Sequence, residues 1–382
     1  MISPSDVDNV LSLLKRHDRV SVIDLHTTHK VEKVWAAMQV PFHVPFPELT
    51  VLRLWWNGLE APPIFPDWNV SAPRLRELVL KAIPFLGLPN LLLSATNLTE
   101  IHLKDISRSE YISPEMMVTC LSALTSLECL HLGFLLRPRP EESRHPPSST
   151  CSILPALTHI QFEGTGEYFV DLLTCIDVPR LKVLFVSLFN VTDLALPQLA
   201  QFISRTPNFK TLNEARVIFH GNDVRLDLLS TTFGFEEPKI QLACGESGRQ
   251  LSTLALIWTS FSPLLSMLND LFICDLYCSS SLHISNNQWL ELLRPFITVQ
   301  SLYVSREFVP GITAALQELV GERISEVLPG LKNLFLEKLE SIQLFVAARQ
   351  LSGHPIAVSV RPTRDNVDMD SDSDWRMDLK GQ

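Results

Sequence analysis

The sequence contains no run of Lys and Arg, and its formal net charge is −10 over 382 residues. Its last 22 residues hold four basic and six acidic side chains, a net of −2, leaving −8 for the rest. Binding to nucleic acid or to an anionic lipid surface needs clustered cations, so neither partner is expected. Paired cysteine motifs are also missing. The seven cysteines (Cys120, Cys129, Cys151, Cys175, Cys244, Cys274 and Cys278) are odd in number and scattered, mostly in apolar runs. This argues against a disulfide framework and for reduced core thiols in the cytoplasm or nucleus. No signal-peptide core precedes Lys15, so the sequons at Asn69, Asn97 and Asn190 read as chance matches. The most apolar window, 251–278, is broken by Pro263, Asn269, Asp270 and Asp275, which suits a buried core better than a membrane span.

Catalytic and cofactor motifs are lacking as well. Gly164-Thr165-Gly166 is a lone G-x-G, and no G-x-x-x-x-G-K, H-E-x-x-H, C-x-x-C or G-x-S-x-G occurs. Cys274 and Cys278 have no second pair nearby and read as buried thiols, not zinc ligands. Asp368, Asp370, Asp372 and Asp374 imitate the opening of a calcium loop. However, the sixth position is Ser373 where glycine is needed, and the twelfth is Leu379 where a glutamate is needed. Residues 361–382 are therefore expected to be a disordered acidic tail, with Ser371 and Ser373 as acid-flanked candidates for phosphorylation. A non-enzyme without cofactor or metal is the expectation.

What the chain does contain is a recurring leucine skeleton. Apolar residues make up 46% and charged residues 19%, enough for a continuous core. Leu49-x-x-Leu52-x-Leu54 recurs as Leu75/Leu78/Leu80, Leu98/Ile101/Leu103, Leu127/Leu130/Leu132, Leu157/Ile160/Phe162 and Leu181/Leu184/Val186. From Val20 to Phe209 the anchors lie 23 to 30 residues apart, close to the period of leucine-rich repeats. After an irregular stretch over 208–250, the skeleton returns as Leu268/Leu271/Ile273, Val299/Leu302/Val304 and Leu331/Leu334/Leu336. The expected fold is an α/β leucine-rich-repeat solenoid over 20–360: a horseshoe of about ten to twelve repeats with a parallel concave sheet and convex helices or loops.

Helices are expected at 1–19 as a cap, 31–39, 116–124, 167–175, 197–203, 250–261, 287–293, 313–327 and 339–350. Strands are expected at Ala215–His220 and Lys239–Cys244 in the irregular stretch, as a hairpin or an irregular repeat pair. The proline-bearing returns 60–70 and 84–93 read as loops or short turns on the convex side, and 137–149 as a mobile insertion.

Parallel strands stack about 4.8 Å apart, so equivalent positions of successive repeats form columns. The position between the last two anchors gives Asp24, Arg53, Val79, His102, His131, Gln161, Phe185, Phe272, Tyr303 and Phe335. Val22, Val51, Glu77, Glu100, Cys129, His159, Val183, Asp270, Ser301 and Asn333 form a neighbouring column. Arg53, Trp55, His102, His131, Gln161, Phe185, Phe272, Tyr303 and Phe335 are the candidate partner-binding residues, because aromatics and arginine on a sheet face are typical anchors for a protein or peptide. The bland reading is that the aromatics pack on one another. His102 and His131 are expected to be solvated surface histidines rather than zinc ligands. If they face each other, protonation near about pH 6 should weaken a partner contact.

Four short segments carry a family likeness: His17-Asp18-Arg19-Val20, Val34-Trp35-Ala36-Ala37-Met38, Pro45-Phe46-Pro47-Glu48-Leu49-Thr50 and Asn213-Glu214-Ala215-Arg216-Val217. Through them the chain resembles the leucine-rich-repeat region of fungal F-box proteins, especially the large basidiomycete set. The resemblance implies repeats that select a substrate and an N-terminal F-box that docks a ubiquitin-ligase adaptor. No F-box pattern is found ahead of Val20, so the module is expected either to be encoded upstream or to have been lost, and a ubiquitin-ligase adaptor is an expected partner only if it is encoded upstream. The leading expectation is a monomeric, non-enzymatic scaffold holding a protein partner on its concave face. The alternatives are the substrate-recognition part of a cullin-type ubiquitin-ligase receptor and a structural paralogue without a defined ligand.

Overall fold

The computed structural model describes residues 12–27, 44–56, 70–83, 87–107, 112–135, 151–189, 195–220, 223–230, 238–245, 250–275, 284–319, 321–336 and 342–360. The helix expected over 31–39, most of the return at 60–70, the insertion at 137–149 and the acidic tail lie outside these residues, as does most of the N-terminal cap. Of that cap, residues 12–14 are helical with Leu14 buried, and a 3-10 turn follows at His17–Arg19. The chain forms two compact units: Met1–Glu214 with Asn222–Leu264, and Ala215–Gly221 with Leu265–Gln382.

The first unit runs β1 (Val22–Thr27), β2 (Val51–Trp56), β3 (Glu77–Lys81), α1 (Leu88–Ser94), β4 (Glu100–Ile106), α2 (Pro114–Ser122), β5 (Cys129–Phe134), β6 (Ser152–Ile153), β7 (His159–Gly164), α3 (Gly166–Thr174), β8 (Ile176–Asp177), β9 (Val183–Leu188) and α4 (Ala195–Arg205). After β10 (Glu214–His220), most of which belongs to the second unit, come β11 (Asp223–Leu229), β12 (Lys239–Gly245) and α5 (Gln250–Leu265). The strand order in this unit is β1-β2-β3-β4-β5-β7-β9-β12-β11. The pairs from β1 to β9 and the β9–β12 pair are parallel, whereas β11 and β12 are antiparallel. The second unit continues with β13 (Asp270–Asp275), α6 (Asn286–Leu293), β14 (Ser301–Val304), α7 (Val309–Gln317), β15 (Asn333–Leu336), α8 (Gln343–Leu351) and β16 (Ala357–Val360). Its order is β10-β13-β14-β15-β16, with β13 to β16 parallel.

The repeat skeleton supplies the core. Leu49, Leu52, Leu54, Leu75, Leu78, Leu98, Ile101, Leu127, Leu130, Leu157, Leu181 and Leu184 are all at most 0% exposed. Burying one leucine removes apolar area worth about 1.5–3 kcal/mol from water. Removing such a side chain from a packed core costs about 2–5 kcal/mol. Successive helices α1 to α4 pack side by side in the first unit, as do α6 to α8 in the second.

A second regularity joins the repeats. The residue ahead of each strand offers its carbonyl to two consecutive amides of the next repeat: Ser21 to Thr50 and Val51, Thr99 to Glu128 and Cys129, Thr158 to Lys182 and Val183. Thr50, Thr99 and Thr158 add a hydroxyl donated to the preceding carbonyl, at 2.9, 3.0 and 3.1 Å. Arginines tie helix ends to the repeat before them. Arg205 at the end of α4 donates to the carbonyls of Leu173 and Ile176, at 2.9 and 3.0 Å.

Several expected elements differ from those observed. The return at 84–93, read as a loop or short turn because of its prolines, contains helix α1. Pro89 sits in its first turn, where no amide donor is needed, and Leu91 and Leu92 are fully buried. The single helix expected over 313–327 is α7 followed by a 3-10 turn at Gly321–Ser325. Pro310 starts α7 early by the same first-turn tolerance, and Gly321 disfavours continuing it. In the irregular stretch, β12 does form a hairpin, but with β11, where no strand was expected. Val224, Leu226 and Leu228, each 1% exposed, give β11 the alternation of a half-buried strand.

Candidate functional site

The leucines fill one face of each strand, so the intervening positions lie on the other. Cross-strand register lines up Asp24, Arg53, Val79, His102, His131, Gln161, Phe185 and Gln241 in the first unit. In the second, Phe272, Tyr303, Phe335 and Ser359 share a row. All nine candidate residues lie on these faces, and all are half-buried except His131, which is buried.

At the N-terminal end of the first unit, neighbouring side chains satisfy one another. The Arg53 guanidinium donates from Nε and Nη2 to both Glu77 oxygens, at 2.6 and 2.8 Å, and from Nη1 to Asp24 at 3.3 Å. Its hydrogen bonds to Glu77 first, then Asp24, outweigh partial desolvation and raise its pKa. Trp55 has a partner on each side: the His26 ring stacks on it at 4.7 Å and 23°, and Lys81 Nζ lies 5.7 Å from its centroid. His26 Nε2 also meets Asp24 at 3.0 Å. Register explains this cluster, because His26, Trp55 and Lys81 are successive partners on β1, β2 and β3. Arg53 and Trp55 are thus held by their own neighbours. The sequence reading missed His26 and Lys81, although extending the columns by one more row would have found them.

His102 and His131 meet edge to face, with centroids 5.9 Å apart. They are not solvated: His131 is 6% exposed and the His102 side chain 19%. Burial first, then Lys104 and His102, push the His131 pKa down to about 3. Burial, followed by Lys104, lowers that of His102 against the raising contact with Glu100. His131 is therefore neutral near pH 6, and the expected protonation switch does not operate through it. Among the described residues, no three His, Cys, Asp or Glu side chains are placed to hold a metal ion. Of the cysteines described, none forms a disulfide. Cys120 and Cys175 are buried, Cys129 and Cys274 half-buried, and Cys151 exposed. Burial chiefly, with Glu100, raises the Cys129 thiol to about 11, so it stays protonated. Next along the row, Gln161 stands between His131 and Phe185, and Lys239 Nζ sits 5.2 Å over the Phe185 ring.

The second unit carries a continuous aromatic ladder. Phe272 and Tyr303 stack at 4.1 Å and 1°, and Tyr303 and Phe335 at 4.4 Å and 5°. These separations fall just inside the spacing of adjacent strands, about 4.8 Å, so the sheet itself sets the stack. The Arg216 guanidinium covers the free side of Phe272 at 5.5 Å. The bland expectation holds to this extent: the rings do pack on each other. They nonetheless remain only half-buried on the strand face. Arg216 was missed as a site residue because the column could not be phased across the irregular stretch.

No protein-family model matches the chain, and no curated protein matches it. Among solved structures it is similar to the leucine-rich repeat-containing protein LegL7 from Legionella pneumophila. That match has 16% identity, covers 75% of this chain and 84% of that one, and has a TM-score of 0.32. No helix among the described residues is long and apolar enough to cross a membrane. The assignment as an α/β leucine-rich-repeat fold stands on the skeleton, the buried anchors and the parallel register.

Proposed function

We propose that this chain is a non-enzymatic scaffold that binds a protein partner on the strand face opposite its leucine core. The observation that carries this reading is the Phe272–Tyr303–Phe335 ladder, stacked at 4.1 and 4.4 Å and half-exposed. Rings fixed by their neighbours have little rotamer freedom left to lose, so burying their edges against a partner has a small entropic cost. Aromatic anchors of this kind dominate protein interfaces, and an extended flat row suits a chain segment better than an enclosed small molecule. The first unit has half-buried Gln161 and Phe185 on its own strand face, with the His102–His131 pair packed beneath as support. Arg53 and Trp55 contribute to its shape and charge while already engaged with Asp24, Glu77, His26 and Lys81.

The test is affinity capture with the intact chain and with a variant in which Arg53, Phe185, Tyr303 and Phe335 are all replaced by alanine, its folding checked by circular dichroism. Specific partners should be recovered by the first and lost by the folded second. A folded variant that keeps every partner overturns the proposal. Ubiquitin-ligase adaptor subunits among the recovered proteins would support the receptor role implied by the F-box resemblance.

A further inference from the structure

Among the described residues, the aromatic ladder of the second unit is closed at one end and open at the other. Arg216 covers Phe272. At the opposite end the register partner of Phe335 is Ser359, an exposed residue between half-buried Val358 and exposed Val360. Among the described residues, no ring or cation lies over that outer face of Phe335, and its ring contact is with Tyr303. Serine is too short to cover that ring face, and β16 is the last strand in the sheet order, so the register leaves a gap over Ser359 beside the Phe335 ring.

We propose that this gap is a stacking site for an arginine side chain presented by a basic partner segment. The inference rests on the reading of the sheet face as protein-binding and names the chemistry of one contact there. Three observations select the occupant. Ring faces carry the negative lobe of the aromatic quadrupole and attract cations. The molecule already uses this attraction on its strand faces: Arg216 on Phe272, Lys81 on Trp55 and Lys239 on Phe185, at 5.5, 5.7 and 5.2 Å. Finally, the formal net charge of −10 favours approach of a cationic partner. A planar guanidinium fits a gap between ring and strand better than a compact ammonium does.

The probe is an acetylated, amidated Gly-Ser-Arg-Ser-Gly peptide, titrated against the full chain carrying ring-labelled phenylalanine. The Phe335 resonance is identified by its loss in Phe335→Leu. The arginine peptide should shift that resonance saturably with a dissociation constant on the order of 10 mM, and a citrulline peptide should bind about tenfold more weakly. Ser359→Arg, at an exposed position, places the cation in register internally. It should move the Phe335 signal by itself and abolish the response to peptide. Three results would each overturn the site: no saturable shift up to about 50 mM peptide, equal response to citrulline or tryptophan peptides, or unchanged peptide binding by Ser359→Arg. Loss of partners in the four-residue variant with an unresponsive Phe335 would remove this site and leave the protein-binding reading intact. An arginine-specific shift blocked by Ser359→Arg would establish the site even if those partners were retained.

Discussion

Arg349, in α8, is a cation with 0% exposure, and among the described residues no carboxylate is a hydrogen-bond partner. Its Nη1 donates to the carbonyl of Ile324 at 3.3 Å, and the two hydrogens of Nη2 are shared among the carbonyls of Leu328 at 3.4 Å, Pro329 at 3.1 Å and Leu331 at 3.1 Å. Burial lowers its pKa. The segment it holds includes Leu328 in the left-handed region, at φ 49°, a conformation that costs roughly 1–2 kcal/mol for a residue with a side chain. Two well-formed bonds from a charged donor are worth about 1.5–3 kcal/mol each, and desolvation of the guanidinium offsets several kcal/mol of that. Arg349→Met removes both the fork and the buried charge, so a net loss of about 2–3 kcal/mol is expected. Arg349→Lys keeps a charge in the same place without the planar fork and should lose about 3–5 kcal/mol. Lysine is therefore predicted to be worse than methionine, the reverse of what chemical similarity suggests. Because the chain has two compact units, one global unfolding midpoint is a poor measure. Amide hydrogen exchange in β15 and α8 reads the effect locally, and Arg349→Met should speed it by about 30- to 150-fold. Unchanged exchange in Arg349→Met, or a lysine variant as protected as the wild type, would refute the carbonyl-clamp argument.

The histidine pair predicts a pH dependence of stability whose sign follows from linkage. His131 has a folded-state pKa near 3 against an unfolded 6.5, so between those values the unfolded chain binds more protons. Stability should therefore be complete above pH 6.5 and fall as pH drops, by about 2 kcal/mol at pH 5 from this residue. His131→Gln should flatten that slope in urea titrations at pH 7 and 5, and equal slopes would exclude the assignment. Tyr303→Ala takes out the middle ring of the ladder and two stacking contacts, for an expected loss of about 2–4 kcal/mol. Differential exchange at β14 and β15 would show it, and wild-type protection there would contradict it. Arg53→Ala should cost less than about 1 kcal/mol despite three short contacts, because the side chain is 38% exposed and water screens its ion pairs. Urea titrations at low and high salt should give a difference that shrinks with ionic strength, and a large salt-independent loss would argue against screening.

The repeat skeleton and the register of its columns were legible because a buried leucine must recur wherever a strand stacks on its neighbour. That one constraint placed Arg53, His102, His131, Phe185, Tyr303 and Phe335 correctly on the strand faces. Consequences that depend on what lies beside a residue were less legible. His131 reads as polar in sequence, yet it lies between Cys129 and Gly133 on β5 and against His102 across the sheet, and it is dry. Pro89 looks like a helix breaker until its place in the first turn is known. β11 alternates openly as Asp223-Val224-Arg225-Leu226-Asp227-Leu228, but it lacks the leucine-repeat spacing, so the period that located the other strands did not point to it. Arg216 sits outside the leucine frame, so no period pointed to it.

The stitching of each repeat to the next through a single carbonyl that receives two amides has a mechanical consequence. In the first unit the strands from β1 to β9 are joined side by side by the same short set of bonds. Tension applied at β1 would load those bonds one strand at a time, as a zipper, not all together in shear. Repeats of 23 to 30 residues would each release roughly 75–105 Å of chain. A force–extension trace of this unit should then show a staircase of small, similar steps, with Thr50, Thr99 and Thr158, whose hydroxyls add a bond at their junctions, marking the firmer treads.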